Sequence, residues 1–351
     1  MTGKEKAELR RKKRELDEKR PFQARAFSDF IARCFFGALI VCVSFAILYP
    51  VLALLPLAFT DMRVAGDPGA VWIPPEFSLQ SFYVVFNWIL RTSEALKDIP
   101  LELRPGPAAI FLYTLFYAFS IAAIQVFMSS LAGYALARTR FRGSTLGFLL
   151  VILVFLIPRQ SFLIPQWLNF KQFDLFGLVT LFRGAPLDLI NQPLTLYMMA
   201  FFGFLSNQSL MIFIMRQFFM AMPHELEEAA HVDGLSFNQT YLRIMLPNAA
   251  PALLTVASLA FVWAYGDNYY TAYFNPNGPY LGMVIQAYPW DSVWVLAAVT
   301  RDWFGAAATN NLAVESVRQA AVLVFLAPLL VFYFIIQRRI VENLDSIGIK
   351  G

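Results

Sequence analysis

Six apolar stretches, at about 33–59, 109–136, 145–166, 194–221, 249–274 and 317–337, set the terms for this chain. A hydrocarbon layer about 30 Å thick takes roughly 20 mostly apolar residues as a helix, and lipid leaves no other way for a single segment to satisfy its backbone. The expected fold is all-α and integral to a membrane, with six transmembrane helices. Composition points the same way: 58% of the 351 residues are hydrophobic, 15% are charged and the mean hydropathy is +0.55. Soluble domains average about 45–50% apolar and about 25% charged.

The positive charges orient the expected bundle. Residues 1–35 carry eleven of the 28 Lys and Arg, in runs such as Arg10-Arg11-Lys12-Lys13-Arg14. A basic tail beside a membrane span reads as a solvated tail; membrane lipid, and no nucleic acid, is expected among the partners. With an inside N-terminus and six crossings, both termini, the turn at 137–144 (Arg138, Arg140, Arg142) and the 222–248 loop share one side. That side gathers nineteen of the 28 basic residues, counting Arg216 and Arg243, as the positive-inside rule requires. The organisation expected is a basic segment 1–32, a six-span domain 33–337 and a cytoplasmic tail 338–351, with outer loops about 60–108, 167–193 and 275–316. The first stretch is too long for a signal peptide and lacks a clear cleavage site, so it reads as an uncleaved span. Cys34 and Cys42 form neither a disulfide framework nor a metal motif.

Two spans are interrupted by polar or helix-breaking residues. The third contains Pro158-Arg159-Gln160 and Pro165; the fourth contains Ser206-Asn207-Gln208-Ser209. Dividing the fourth leaves an apolar piece short for a crossing, so the sequence reading keeps it whole. Polar groups at membrane depth face a bundle interior or a water-filled path, or hydrogen-bond between helices.

The segment 222-MPHELEEAAHVDGLSFNQTYLRIMLP-247 is polar and patterned as two short helices. Pro223 suits a first helical turn, and Glu225, Glu227 and Glu228 complement the positive end of the helix dipole. Leu226, Ala229, Ala230 and Asp233 share a narrow face with small side chains, read here as the surface a partner approaches. Gly234 stops the first helix, Ser236 and Gln239 form a capping box for the second, and Pro247 ends it. The result is a helix-Gly-helix elbow.

Glu228-Ala229-Ala230, three residues, Gly234, nine residues, Ile244, one residue and Leu246-Pro247 together resemble the E-A-A-x3-G-x9-I-x-L-P signature of binding-protein-dependent ABC import permeases. Asp233 before the glycine and 223-PHELE-227 before the motif are similar to the sugar branch, of maltose type. The stretches 132-AGYALARTRFRG-143 and 337-QRRIVENLDSIGIKG-351 resemble the same family, so the likeness runs from about 109 onward. It implies a type I importer permease in a bacterial or archaeal inner membrane. The same resemblance implies a second permease, two copies of an ABC ATPase, an extracytoplasmic solute-binding protein and a sugar substrate. Glu228 would be the anchoring charge toward the ATPase, Ala229 and Ala230 the close-packed surface and Gly234 the bend.

No P-loop G-x-x-x-x-G-K-[ST] occurs in the chain, so ATP and Mg are expected on the partner ATPase, and the chain itself is expected to bind no cofactor and catalyse no reaction. Candidates for lining the substrate path are Asn207, Gln208, Trp263, Asp267, Asn268 and Tyr269, since rings cover apolar sugar faces while amides pair hydroxyls. The family often carries Trp-Asn-Asp or Trp-Asn-Glu in this region, and 263-WAYGDN-268 departs from that spacing. Alternatives are import of peptides, amino acids or polyamines, an ion-coupled secondary transporter, or a membrane enzyme. The spans offer few ionisable groups beyond Arg159 and Asp267 and no internal repeat for a secondary transporter. His224 and His231, the only histidines, sit seven residues apart on the elbow and suggest no catalytic cluster.

Overall fold

The computed structural model describes residues 22–64, 73–86, 105–139, 141–205, 207–286 and 311–348. Most of the basic N-terminal segment, Arg140, Ser206, much of the 60–108 and 275–316 loops and the last three residues of the tail lie outside the described residues. The described chain is helical, with two isolated bridges, Thr60 to Phe77 and Phe173 to Leu187, and no strand.

The long helices are α1 (Phe22–Leu52), α2 (Pro107–Arg138), α3 (Ser144–Leu156), α4 (Gln160–Lys171), α5 (Pro193–Phe202) and α6 (Gln208–Ala221). The elbow follows as α7 (Glu225–Val232) and α8 (Phe237–Asn248), then α9 (Ala250–Tyr265), the short α10 (Tyr270–Phe274) and α11 (Leu281–Gln286), and finally α12 (Asn311–Gly348).

Three helical stretches are long and apolar enough to cross a membrane alone: Phe30–Ala58, Pro107–Arg138 and Ala313–Arg339. Two more qualify as bent pairs, α3 with α4 at 105° and α8 with α9 at 79°. The third expected span therefore folds back at Pro158, because proline disfavours a helical conformation in the residue before it. Ile157 is accordingly extended.

The fourth expected span is not one helix. It divides into α5 and α6, and Gly203 supplies the break with a φ of +79°. The amide of Gly203 bonds the Met199 carbonyl, and Phe204 N reaches the same oxygen at 2.9 Å. This glycine cap satisfies the carbonyls that an interrupted helix leaves open. The length argument for an unbroken span fails because the backbone groups at the break are met locally, by this cap and by Gln166, whose Nε2 donates to the Phe204 carbonyl at 3.0 Å.

α2 is the centre of the bundle. Ile110, Thr114, Tyr117, Ala118, Ile121, Ala122, Gln125, Ser129, Ser130, Gly133 and Tyr134 recur at three- and four-residue intervals and are all buried. α6 crosses it so closely that a Cβ on Gly133 would stand 2.7 Å from the Met215 Cβ and 2.9 Å from the Arg216 amide. Small residues at such crossings let backbones approach, which in a membrane is a main source of helix affinity. α9 packs on another side of α2 through Phe119 and Phe261, 4.5 Å apart, and Phe332 of α12 joins them at 4.1 Å from Phe261. In α1, by contrast, none of the best 18-residue apolar window is buried among the described residues.

Candidate functional site

Two polar constructions stand out on this frame: the elbow at one end and a pocket along the bundle. α7 begins after Pro223, with Glu225, Glu227 and Glu228 in its first turn. It ends as the sequence requires. Gly234 takes φ +78°, its amide bonds the His231 carbonyl, and Leu235 N bonds the Ala230 carbonyl at 3.0 Å. Ser236 and Gln239 form the capping box that opens α8, with Ser236 N donating to Gln239 Oε1 at 2.9 Å.

α8 departs from expectation at its far end. It runs past Pro247 to Asn248, because Tyr241–Met245 widens into a π-type turn that ends with one residue left before the proline. A proline lacks the amide and its ring crowds the preceding turn, so a widened turn there is the expected accommodation.

The two faces of α7 differ from the sequence reading. Glu225, Glu228, Ala229 and Val232 are exposed and fall at i, i+3, i+4, i+7; Val232 is 87% exposed. Leu226 and Glu227 are half-buried, and Ala230 is buried inside the chain. Of the alanine pair, only Ala229 looks outward, together with Asp233. The rotation has a cause in Arg138, the last residue of α2.

The Arg138 side chain is 2% exposed. It donates from Nε to the Phe219 carbonyl at 3.0 Å and from Nη2 to the Met222 carbonyl at 2.6 Å. Its Nη1 lies 2.7 Å from His224 Nδ1 and 3.5 Å from Glu227 Oε2. The Tyr134 hydroxyl donates to Glu227 Oε1 at 3.0 Å. Tyr134 also sits among Phe219, Phe237 and Tyr241 at 4.9–5.3 Å between ring centres, and Tyr241 and Ser130 share a hydroxyl bond of 2.5 Å. Glu227 is drawn inward, and its neighbour Glu228 is left facing out, its carboxylate bonded to no described residue.

The pocket has a volume of about 410 Å³. Asn207, Trp263, Asp267, Asn268 and Tyr269 line it, joined by Tyr117, Gln125, Arg159, Tyr270 and Gln286. The Arg159 guanidinium stands 4.5 Å over the Tyr269 ring. The Asn268 Oδ1 and Tyr269 hydroxyl are buried without a hydrogen-bond partner among the described residues.

Of the expected path residues, Gln208 is the one the pocket does not include; it is 2% exposed and faces the protein interior. Asp267 lines the pocket but is already engaged. Its carboxylate accepts from the amides of Tyr269 and Tyr270 at 3.1 Å and of Thr271 at 3.3 Å, capping α10. An Asp two residues ahead of a short aromatic run is a capping signal of the kind a sequence shows.

A family described as binding-protein-dependent transport system inner membrane component matches residues 125–345. The chain belongs to this family. As a permease of that kind it is a transport subunit and an integral membrane protein. Among its relatives is the trehalose transport system permease protein SugB of Mycobacterium tuberculosis, 28% identical over 309 residues, covering 88% of this chain and 94% of that one. The probable starch degradation products transport system permease protein AmyC of Thermoanaerobacterium thermosulfurigenes is 26% identical over 292 residues, covering 80% and 92%. A crystal structure of a bacterial ABC transporter that imports the acidic polysaccharide alginate matches with a TM-score of 0.62 at 19% identity, covering 89% of this permease and 97% of that chain, which supports the fold. The family match spans the elbow and most of the pocket wall and leaves α1 outside it.

Proposed function

We propose that this chain is the permease subunit of an ATP-driven importer of carbohydrate in a bacterial or archaeal inner membrane, with its elbow and both termini cytoplasmic. It works beside a second permease and two copies of an ABC ATPase that holds ATP and Mg, and it receives its solute from an extracytoplasmic binding protein. The carrying observation is the two-sidedness of α7. Its inner side is bonded into the end of α2, whose Arg138 also holds the end of α6, and its outer side presents Glu228, Ala229 and Val232 to a partner.

That outer face joins a charge, a small residue and an exposed apolar side chain, a composition suited to a cleft with a basic group and an apolar wall. The pocket suits the cargo: aromatic faces from Trp263 and Tyr269 lie beside amides from Asn207, Asn268, Gln125 and Gln286, which pair hydroxyls. Relatives described as trehalose and starch-product permeases support the carbohydrate assignment. A partner shifts a two-state equilibrium only through different contacts in the two states, so closure of the ATPase pair on nucleotide must pull on the elbow.

Glu228→Lys is the test of the docking face. Purified complexes of this variant should lose the ATPase while retaining the second permease; an unchanged ATPase content with normal uptake overturns the docking role. The cargo is tested in proteoliposomes with binding protein, by ATPase stimulation with neutral oligosaccharides set against a dipeptide, an amino acid and spermidine. Stimulation confined to the last three would replace carbohydrate with one of those classes.

A further inference from the structure

The cytoplasmic ends of α2 and α6 exchange arginines. Arg138 of α2 donates to Phe219 O and Met222 O at the end of α6, while Arg216 of α6 donates to Leu136 O at the end of α2 at 3.3 Å. The Arg216 guanidinium also stands 3.7 Å over the Phe148 ring of α3. Each helix thus closes carbonyls in the last turn of the other, where open carbonyls and the negative dipole end favour a cation. Gly133 lets the two backbones come close one turn earlier.

Arg138 is the member of this exchange that also reaches the elbow, through His224 and Glu227. From these contacts we infer that Arg138 is a positioning residue that keys α7 to α2 and α6, so that a pull on the elbow moves all three as one body and bending is left to the other end of the elbow. The other end has the geometry for it. α8 meets α9 at 79° around Ala249, with Pro247 and Pro251 on either side removing amides that would stiffen a continuous helix.

The guanidinium is suited to this task because its planar fork holds several acceptors in fixed directions at once. Lysine at 138 would supply the charge but could not reach the Phe219 and Met222 carbonyls and Glu227 together. Glutamine would supply neither charge nor span. Glu227→Gln would keep an acceptor for Tyr134 but remove the ion pair, so its effect should be the smallest of the three.

The inference rests on the elbow being where the ATPase docks, and the test separates the two. Whole complexes carrying Arg138→Gln, Arg138→Lys or Glu227→Gln are reconstituted with binding protein, and ATPase content, ATP hydrolysis and uptake are measured on the same vesicles. Expected is a normal ATPase content with uptake per ATP hydrolysed down about fivefold or more in Arg138→Gln, the span of typical coupling strengths, and a smaller loss in Arg138→Lys. Glu228→Lys should instead lose the ATPase itself. Normal uptake per ATP in Arg138→Gln overturns the inference, and so does loss of the ATPase from that variant to the same degree as from Glu228→Lys, since Arg138 would then serve docking rather than transmission. If Arg138→Gln fails to insert, the lysine and Glu227→Gln variants decide, with wild-type coupling in both overturning the inference.

Discussion

The elbow end of the bundle and the polar pocket are both rich in aromatic and polar side chains, yet they treat those groups in opposite ways. Around Arg138 the charged and hydroxyl groups are paired within the chain: Arg138 with two carbonyls, His224 and Glu227, Tyr134 with Glu227, Tyr241 with Ser130. Around the pocket, the Asn268 Oδ1 and Tyr269 hydroxyl are buried with no partner among the described residues. A buried group left unpaired costs about 1–3 kcal/mol, so a fold retains one where something other than stability requires it. In the proposed function the elbow end holds one arrangement, and the pocket accepts groups from outside the chain.

The sharpest way to break the rigid half of this contrast is at Gly133. Its missing Cβ would meet the Met215 Cβ at 2.7 Å and the Arg216 amide at 2.9 Å, so neither neighbour can yield without moving the α6 backbone. Gly133→Leu should force α2 and α6 apart and cost more than the usual overpacking penalty of about 1–3 kcal/mol. Loss of the monodisperse peak in detergent size-exclusion and a lowered melting temperature check it. A variant that folds with an unchanged melting temperature would show that the crossing is not the tight element it is taken to be here.

What the sequence reveals of these two regions follows the range of the interactions. The caps of the elbow are local, so Gly234 and the Ser236–Gln239 box are readable from residue type and spacing alone. The orientation of α7 is not, because Glu227 turns inward toward Tyr134, 93 residues away, and no pattern within the helix announces that contact. Five of the six path candidates line the pocket, since polar residues in an apolar span stand out. Arg159, Tyr117, Gln125 and Gln286 join them only through packing, although the Pro158-Arg159-Gln160 break marked the first. The division at Gly203 went unread because length was weighed against it, while the cap that makes such a break tolerable depends on a single glycine.

A smaller effect separates two kinds of residue within the pocket. Asp267→Ala should remove an acceptor from three backbone amides and unfix α10, costing about 1–2 kcal/mol, the range for loss of a helix cap. Asn268→Ala on the same wall removes a carboxamide whose Oδ1 has no hydrogen-bond partner among the described residues, and should lower uptake while leaving the melting temperature close to that of the parent. Thermal unfolding in detergent, set beside uptake in proteoliposomes, distinguishes them. Equal destabilisation by both would mean the pocket wall is structural throughout, and the contrast with the elbow would lose its force.

The smallest effect is the most discriminating, because it makes one chemical change at both places. Tyr134→Phe removes a hydroxyl that donates to Glu227, leaving a half-buried carboxylate with one bond fewer, and should destabilise by about 1–2 kcal/mol. Tyr269→Phe removes a buried hydroxyl that has no partner among the described residues, while the ring stays under Arg159. Deleting an unsatisfied polar group relieves its desolvation cost, so this variant should unfold at the same temperature as the parent or slightly higher. Its uptake should fall if, as proposed, the hydroxyl serves a solute rather than the fold. Opposite signs in stability from an identical deletion would establish that the two regions are built for different ends; a stability loss at Tyr269 equal to that at Tyr134 would show that its hydroxyl has a structural partner and that the pocket, like the elbow, holds itself together.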